Sequence, residues 1–500
     1  MRCLRLLPEL LLLPFIIHRL GESEYGIYIL AWSVYAMLEL IQSGISSALV
    51  KYSAEFFERN QMEDINKLLT SACVLTGSWG LAGGLLVIGA VNLFPGLLAM
   101  VNADAVSQLR FACNAIAVMM ILIFPLMPFA GILYALQRYD LFAFINTLLV
   151  YLRVAGIIGW FLMVGPSLKA LIIFTAASVL AANLIFLPLA FRKVPTLHIK
   201  ISHFSFRHVK MLLKFGTMVL LTSLCILVNT SGVNWLMGIL VSTSFVGVMA
   251  IILKPPQLMT EIIGAMSITV MPATSKYAAL KDEKMLRELF VRGTRYMALV
   301  AALCWIVIFL MTRPVLKLWM GPEYAYLSPY GIILCSGTIF WMSGSCAFNM
   351  LRGMGMLRVS VISEFVGLVL VGFFSILLIF KITQSPFIAV AVGLSLGQTV
   401  GTTLRLIYCI RAVEAKPLHF FVQAYSHTLG VSLLITLLAA AVIYLGHVES
   451  FWGRASVTVV SLGGFCLLFM AVLNEGEKRM AKEFFRIAQI KISRLILHKP

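Results

Sequence analysis

Long apolar runs, separated by short charged or turn-rich stretches, recur along the whole chain. One helix that crosses a bilayer takes about 20 mainly apolar residues, and the runs have that length. Division of the chain at charges and turn residues predicts about fourteen membrane-spanning helices. They are Leu4–Ile17, Tyr25–Ser46, Leu68–Phe94, Leu109–Tyr134, Leu141–Val164, Leu168–Ala190, Met211–Leu240, Phe245–Met271, Tyr296–Thr312, Tyr330–Leu351, Val359–Phe380, Ile388–Ile410, Phe421–Leu445 and Trp452–Leu473.

The composition supports a membrane protein. The 500 residues are 61% hydrophobic and 12% charged, with a mean hydropathy of +0.97. Soluble globular chains are about 45–50% apolar and about 25% charged. A water-soluble fold could not bury so much apolar surface, so soluble enzymes and DNA-binding proteins are excluded. The predicted fold class is an all-α polytopic membrane protein.

The basic residues predict an orientation in the membrane. The net charge is +18, which we attribute to Lys and Arg on the cytoplasmic side and not to a nucleic-acid partner. With the N-terminus inside, about 30 of the 39 Lys and Arg residues fall in inside segments and about seven fall outside. Those seven are Arg19, Arg110, Lys169, Arg313, Lys317, Lys381 and Arg454. The protein is therefore predicted to cross the bacterial inner (cytoplasmic) membrane several times, with both termini in the cytoplasm.

A weak internal repeat predicts two lobes. Leu20–Gly26 resembles Leu240–Gly247, at an offset of roughly 220 residues with six spans between them. An even number of spans gives both copies the same direction, so two six-helix lobes with pseudo-twofold symmetry can enclose a cavity. The predicted domains are 1–205, in which we expect a short, truncated first helix; 206–414; two extra helices in 415–474; and a basic amphipathic tail in 475–500.

Two cations inside spans are the candidate substrate-binding residues, because a charge at membrane depth needs water or a partner. Lys254 precedes Pro255 and Pro256, which should break or kink the helix. A cation at a broken helix suits a diphosphate, and a buried ion pair, with Glu261 or with a residue of another helix, is the structural alternative. The planar guanidinium group of Arg153 could bind a second phosphate. Alternatively, the Arg153 side chain could extend toward the membrane–water interface.

Three acidic residues inside spans are possible ion-coupling groups: Glu39, Glu261 and Glu364. A carboxylate in an apolar environment can exchange a proton near neutral pH. Glu39 shares a helix face with Gln42, and an interhelical hydrogen bond is the alternative role for Glu39.

The sequence indicates neither an enzyme nor a cofactor. It contains no Walker phosphate-binding loop, no spacing typical of metal ligands and no C-x-x-C pair. His198, His203 and His208 lie in one basic loop, where we expect solvated side chains. Catalysis would require a large polar loop, which is absent between the predicted spans.

Several stretches resemble a known family. They are Pro14–Gly21 with Tyr25–Tyr28, Gln42–Tyr52 with Ala54 and Glu55, Met271–Ser275, and Leu316–Gly321. Over about Pro14 to Arg411 the chain resembles Wzx-type polysaccharide-biosynthesis flippases of the multidrug/oligosaccharidyl-lipid/polysaccharide exporter superfamily. The resemblance implies two six-helix lobes, two extra helices, and movement of a lipid-linked oligosaccharide across the inner membrane, as in O-antigen and lipopolysaccharide assembly.

The predicted partners are a lipid-linked oligosaccharide, membrane lipids and other polysaccharide-assembly proteins, with no nucleic acid. Alternating access between the two sides would move the substrate. Two alternatives stay open: an ion-coupled exporter of drugs or other amphipathic solutes, and a membrane scaffold that transports nothing.

Overall fold

The structure is a computed structural model that describes residues 2–93, 103–227, 233–267, 270–381 and 385–472. Within these ranges the chain is helical and contains no β-strand. The apolar runs account for this, because a backbone surrounded by lipid must satisfy its hydrogen bonds internally, which a helix does within one segment. The predicted fold class is confirmed.

Ten α-helices precede Leu253, where the helix is interrupted. They are α1 Arg2–Leu20, α2 Glu22–Glu58, α3 Met62–Leu93, α4 Ala103–Ile123, α5 Met127–Ala135, α6 Tyr139–Met163, α7 Leu168–Lys193, α8 Phe206–Leu227, α9 Val233–Leu240 and α10 Thr243–Ile252. Another ten follow. They are α11 Lys254–Ser267, α12 Val270–Ala279, α13 Glu283–Trp319, α14 Ser328–Ser343, α15 Ser345–Gly353, α16 Leu357–Lys381, α17 Pro386–Ala412, α18 Pro417–Phe421, α19 His427–Leu445 and α20 Phe451–Val472.

The helices bear out most predicted spans. Among the described residues, ten helical segments are long and apolar enough to cross a membrane, and twelve if each of two bent pairs is one span. Each of the fourteen predicted spans overlaps a helix. The two beyond these twelve are Leu4–Ile17, where α1 carries Arg5, Glu9 and Arg19, and Met211–Leu240, which includes residues outside the described ranges. The predicted amphipathic tail also lies outside them.

Contacts divide the chain into two compact units. The first comprises Met1–Lys254 and Glu364–Ala389, and the second Pro255–Ser363 and Val390–Pro500. The predicted domains follow the order of spans whereas the units follow contacts, so the predicted boundaries stay a prediction.

In the first unit, α2 lies at the centre and approaches α8 and α10 at two glycine pairs. A Cβ atom on Gly26 would lie 1.8 Å from the Thr243 carbonyl oxygen, and one on Gly44 would lie 2.6 Å from the Gly216 carbonyl oxygen. Only glycine permits such close backbone approach. The two segments that the internal repeat relates therefore contact each other directly, at Gly26 and Gly247.

Hydrogen bonds reinforce the contact between α2 and α10. The Ser23 and Thr243 hydroxyls lie 2.9 Å apart, and the Ser244 hydroxyl donates to Glu22 Oε2 at 2.9 Å. Polar groups that join helices in an apolar environment typically contribute about 0.6 kcal/mol each. The glycine contacts and these bonds together fix one end of α2 against α10.

The second unit has its own core, around α13, α15 and α17. Phe290 stacks on Phe420 with ring centroids 4.3 Å apart, and Cys346 and Leu406 are fully buried beside them. The two extra helices, α19 and α20, pack on α13 in this unit through a smaller apolar cluster. Their other faces carry exposed leucines and valines, as expected of surfaces that face acyl chains.

Candidate functional site

Two charged side chains form an ion pair inside the first unit, and a third lies within electrostatic range of them. Arg153 of α6 donates from a terminal amino group to Glu9 Oε1 of α1 at 2.9 Å. The two helices pack through Phe15 and Phe161, whose ring centroids are 5.9 Å apart. The Arg153 side chain is 14% exposed, so this ion pair is largely shielded from solvent. The sequence predicted that Arg153 binds a phosphate or extends toward the membrane surface, and neither prediction included a carboxylate partner.

Lys254 is the third charged residue of this cluster. It stands immediately after a break at Leu253, where the segments Thr243–Ile252 and Lys254–Gly264 are bent by 45°. The predicted kink beside Pro255 and Pro256 is therefore confirmed. The Lys254 ammonium group lies within electrostatic range of both Glu9 and Arg153.

Within the described part of the chain, the half-buried Lys254 ammonium group has no hydrogen bond or ion pair. The alternative pairing with Glu261 is not formed, and Glu261 is exposed on α11. Lys254 thus keeps its three donors for another acceptor.

The cluster of Glu9, Arg153 and Lys254 has a net positive charge, with two cations for one carboxylate. The Arg153 Nε is also buried, with no hydrogen-bond partner in the described ranges. In a low dielectric an uncompensated cation is costly. An anion with several oxygens would lower that cost by accepting from both Lys254 and Arg153.

An aromatic row on α2 adjoins the cluster. Tyr25, Tyr28, Trp32 and Tyr35 contact one another in sequence, with successive ring centroids 5.7, 6.2 and 4.9 Å apart. The Tyr28 hydroxyl is within hydrogen-bonding distance of Thr175 on α7. Both Tyr25 and Tyr28 lie within electrostatic range of Arg153 and Glu9. Our sequence reasoning missed this row, although the spacing of three and four residues marks one helix face.

The row ends beside the polar residues Glu39 and Gln42. The Tyr35 hydroxyl is hydrogen-bonded to Glu39, one turn along the same helix, so the interhelical hydrogen bond of Glu39 stays a prediction. Gln42 is 1% exposed, and neither its Nε2 nor its Oε1 has a hydrogen-bond partner among the residues that the structure describes. An unsatisfied buried amide costs about 1–3 kcal/mol, so the Gln42 side chain is a candidate for meeting polar groups of a substrate.

The other sequence-predicted residues lie elsewhere. Glu364 is buried on α16 and is 7% exposed, and Glu261 is on the exposed side of α11. Neither is part of the cluster formed by Glu9, Arg153 and Lys254. The roles of Glu39, Glu261 and Glu364 in ion coupling stay predictions.

The prediction of solvated histidines is wrong for His208. This residue is 4% exposed, and its Nε2 lies 3.3 Å from Asp64 Oδ1. Burial between α8 and α3 lowers the pKa of His208, while Asp64 opposes that effect. Among the described residues, no group of three or more His, Cys, Asp and Glu side chains could hold a metal ion.

Comparison with solved structures places the fold. The chain superposes on the lipid II flippase MurJ in an inward closed conformation with a TM-score of 0.72 at 15% identity, covering 93% of this chain and 97% of that one. An inward-facing multidrug resistance MATE family transporter of the MOP superfamily gives 0.71 at 16% identity, covering 82% and 94%. The fold is therefore the two-lobed fold of these transporters.

Sequence comparison gives the family. The chain is 20% identical over 487 residues to the uncharacterized membrane protein EpsK of Bacillus subtilis (strain 168), covering 95% of this chain and 94% of EpsK. A family model described as polysaccharide biosynthesis protein matches residues 18–329. Since this match spans more than half of the chain, the protein belongs to the polysaccharide biosynthesis protein family.

Proposed function

We propose that this protein is a flippase that moves a polyprenyl-diphosphate-linked oligosaccharide across the inner membrane by alternating access. The observation that carries the proposal is the net positive cluster inside the first unit, where Lys254 keeps its donors free beside the pair of Arg153 and Glu9. Family membership supports a role in polysaccharide biosynthesis, and the lipid II flippase among the similar structures supports a lipid-linked substrate.

The diphosphate of such a substrate matches the cluster chemically. Its oxygens accept hydrogen bonds, and its negative charge would be bound by the Lys254 ammonium group and the remaining donors of Arg153. Glu9 limits this attraction, because one carboxylate already neutralises part of the positive charge. A partly compensated site suits transport, since a ligand that binds too tightly is not released.

The aromatic row and Gln42 suit the glycan. Tyr28 and Trp32 are only half-buried, and aromatic rings with a polar edge can contact both the apolar face and the hydroxyl groups of a sugar. Gln42 offers a donor and an acceptor at the far end of the row. The diphosphate would therefore lie at Lys254 and the sugar rings would extend along α2.

The same proposal includes the topology and the partners. Both termini lie in the cytoplasm, the chain performs no catalysis, and the partners include membrane lipids and other polysaccharide-assembly proteins. The lobes are 1–205 and 206–414, and the extra helices in 415–474 guide the polyprenyl tail through their apolar faces. Glu39, Glu261 or Glu364 would exchange an ion during the cycle.

Deletion of the gene tests the proposal. A deleted strain should accumulate a lipid-linked oligosaccharide on the inner leaflet, and the wild-type gene should restore its export. Lys254→Ala should fail to restore export at normal protein levels, whereas the matched variant Lys284→Ala, on the exposed start of α13, should restore it. Altered drug tolerance with normal surface glycan would favour the drug-exporter alternative, and no change in either would favour a scaffold.

A further inference from the structure

A basic pocket lies in the second unit, apart from the cluster at Lys254. Arg313, Lys317 and Arg454 line it together with Pro314 and Glu449. The space among these side chains is shallow and partly open to solvent. Arg313 and Lys317 are one helical turn apart on α13, and Arg454 lies in the first turn of α20.

The position of these cations is unusual for this chain. Arg313 and Lys317 stand near the end of α13 remote from its basic start, and the charge asymmetry assigns that end to the outer face. Only about seven of the 39 basic residues fall on that face. Three of the seven line this one pocket.

The positive charge is poorly compensated within the protein. Like charges four residues apart on a helix repel each other, as Arg313 and Lys317 do. Glu449 is within electrostatic range of Arg454, but no ion pair joins it to the three cations in the described chain. The Arg454 Nε donates to the Val448 carbonyl oxygen at 3.0 Å, which leaves its terminal amino groups available.

Aromatic residues indicate the depth of the pocket. Tyr444 and Trp452 flank the loop that carries Glu449, and they are 81% and 79% exposed. Exposed Tyr and Trp side chains concentrate at the level of lipid headgroups. The exposed apolar faces of α19 and α20 begin directly below, where acyl chains would lie. The pocket therefore lies at the height of lipid phosphates.

We propose that Arg313, Lys317 and Arg454 bind the headgroup phosphate of a lipid with net negative charge in the outer leaflet, in preference to a zwitterionic lipid such as phosphatidylcholine. The lipid is either a resident phospholipid or a lipid diphosphate that has just crossed the membrane, since both present the same phosphate chemistry. Binding of a resident phospholipid does not depend on what the protein transports, whereas binding of the lipid diphosphate rests on the proposed function. Each basic residue near an anionic lipid surface strengthens binding about fivefold, so three together make a defined site.

Hydrogen exchange of residues 446–456 tests the site locally, without interference from the basic inner loops. The full-length protein is placed in nanodiscs of phosphatidylcholine alone, with phosphatidylglycerol, or with undecaprenyl diphosphate. Exchange in the wild-type segment should slow roughly threefold or more when the bound lipid is present. Slowing with phosphatidylglycerol identifies a resident phospholipid, and slowing with undecaprenyl diphosphate alone identifies the transported lipid.

Two variants and a control decide the outcome. The double variant Arg313→Gln/Lys317→Gln should bind the lipid roughly 10- to 30-fold more weakly and lose the protection. The charge-retaining variant Arg313→Lys/Lys317→Arg and the control Arg19→Gln/Lys169→Gln, on the same predicted face, should keep it. Equal exchange in all three nanodiscs, or protection that persists in the double variant, would overturn the proposal.

Discussion

Gln42 shows how a single polar side chain can indicate a function in an apolar helix. Its amide atoms are buried on α2 and have no hydrogen-bond partner in the part of the chain that the structure describes, at a cost of about 1–3 kcal/mol. Arg153, in the same unit, meets Glu9 at 2.9 Å and so recovers much of the cost of burying its charge. Gln42 has no such compensation within the described chain, so we expect it to serve the substrate.

Replacement of Gln42 by leucine should therefore separate stability from transport. Gln42→Leu removes two unsatisfied polar atoms and should raise the free energy of unfolding by roughly 1 kcal/mol, measured by thermal unfolding in detergent. Export of the lipid-linked oligosaccharide should fall at the same time. A less stable variant would show that Gln42 is a structural residue, and a variant that exports normally would show that Gln42 does not serve the substrate.

His208 should make stability depend on pH. Burial lowers its pKa below the usual 6.5, so the unfolded chain takes up a proton at a higher pH than the folded chain. The contribution of neutral His208 to the free energy of unfolding is therefore complete above pH 6.5 and is lost as the pH falls below that value. The midpoint temperature of thermal unfolding should decrease as the pH is lowered from 7.5 to 5.5. His208→Gln should make this temperature less dependent on pH. An equal slope in the variant would contradict the assignment.

Sequence reasoning found part of the charged cluster. Lys254 and Arg153 stand out because charges inside apolar runs are rare, and the two prolines after Lys254 mark the break. Glu9 lies in a short first span with two prolines, so its pairing with α6 had no local signal. Contacts between residues more than a hundred positions apart depend on helix packing, which periodicity does not determine.

At the scale of elements, α2 depends on glycines. A Cβ atom on Gly26 or Gly247 would lie about 2 Å from a carbonyl oxygen of the facing helix. The spans were predictable from hydropathy, but these contacts were visible only as a faint repeat. The repeat identified the two segments as similar in sequence, but similarity alone does not predict that they contact each other.

Gly26→Ala should separate α2 from α10 and reduce both thermal stability and export. Gly89→Ala in α3 is the matched control, because a Cβ atom there meets nothing within 4 Å. Alanine favours a helix by about 1 kcal/mol over glycine, so the control should be equally or more stable. If both variants behave alike in thermal unfolding and export, the close contact has no role.

At the scale of the whole molecule, the basic residues predict the orientation in the membrane. The charge asymmetry predicts residues near 450 outside and those near 61 inside, and both positions lie in exposed loops. An impermeant thiol reagent should label Ser450→Cys in intact cells and Gln61→Cys only after lysis, above the labelling of the parent chain. The opposite pattern would reverse the orientation and move the basic pocket to the cytoplasmic face.

Translocation by the purified protein tests the central claim most directly. Proteoliposomes that contain the wild-type chain should transfer a fluorescent polyprenyl-diphosphate oligosaccharide between leaflets, measured by its accessibility to an external glycan-degrading enzyme. Lys254→Ala should lower the initial rate at least tenfold, since loss of about 1.4 kcal/mol changes an equilibrium tenfold. Lys284→Ala should match the wild type. Equal rates for the wild type and Lys254→Ala, at equal reconstituted amounts, would contradict the account.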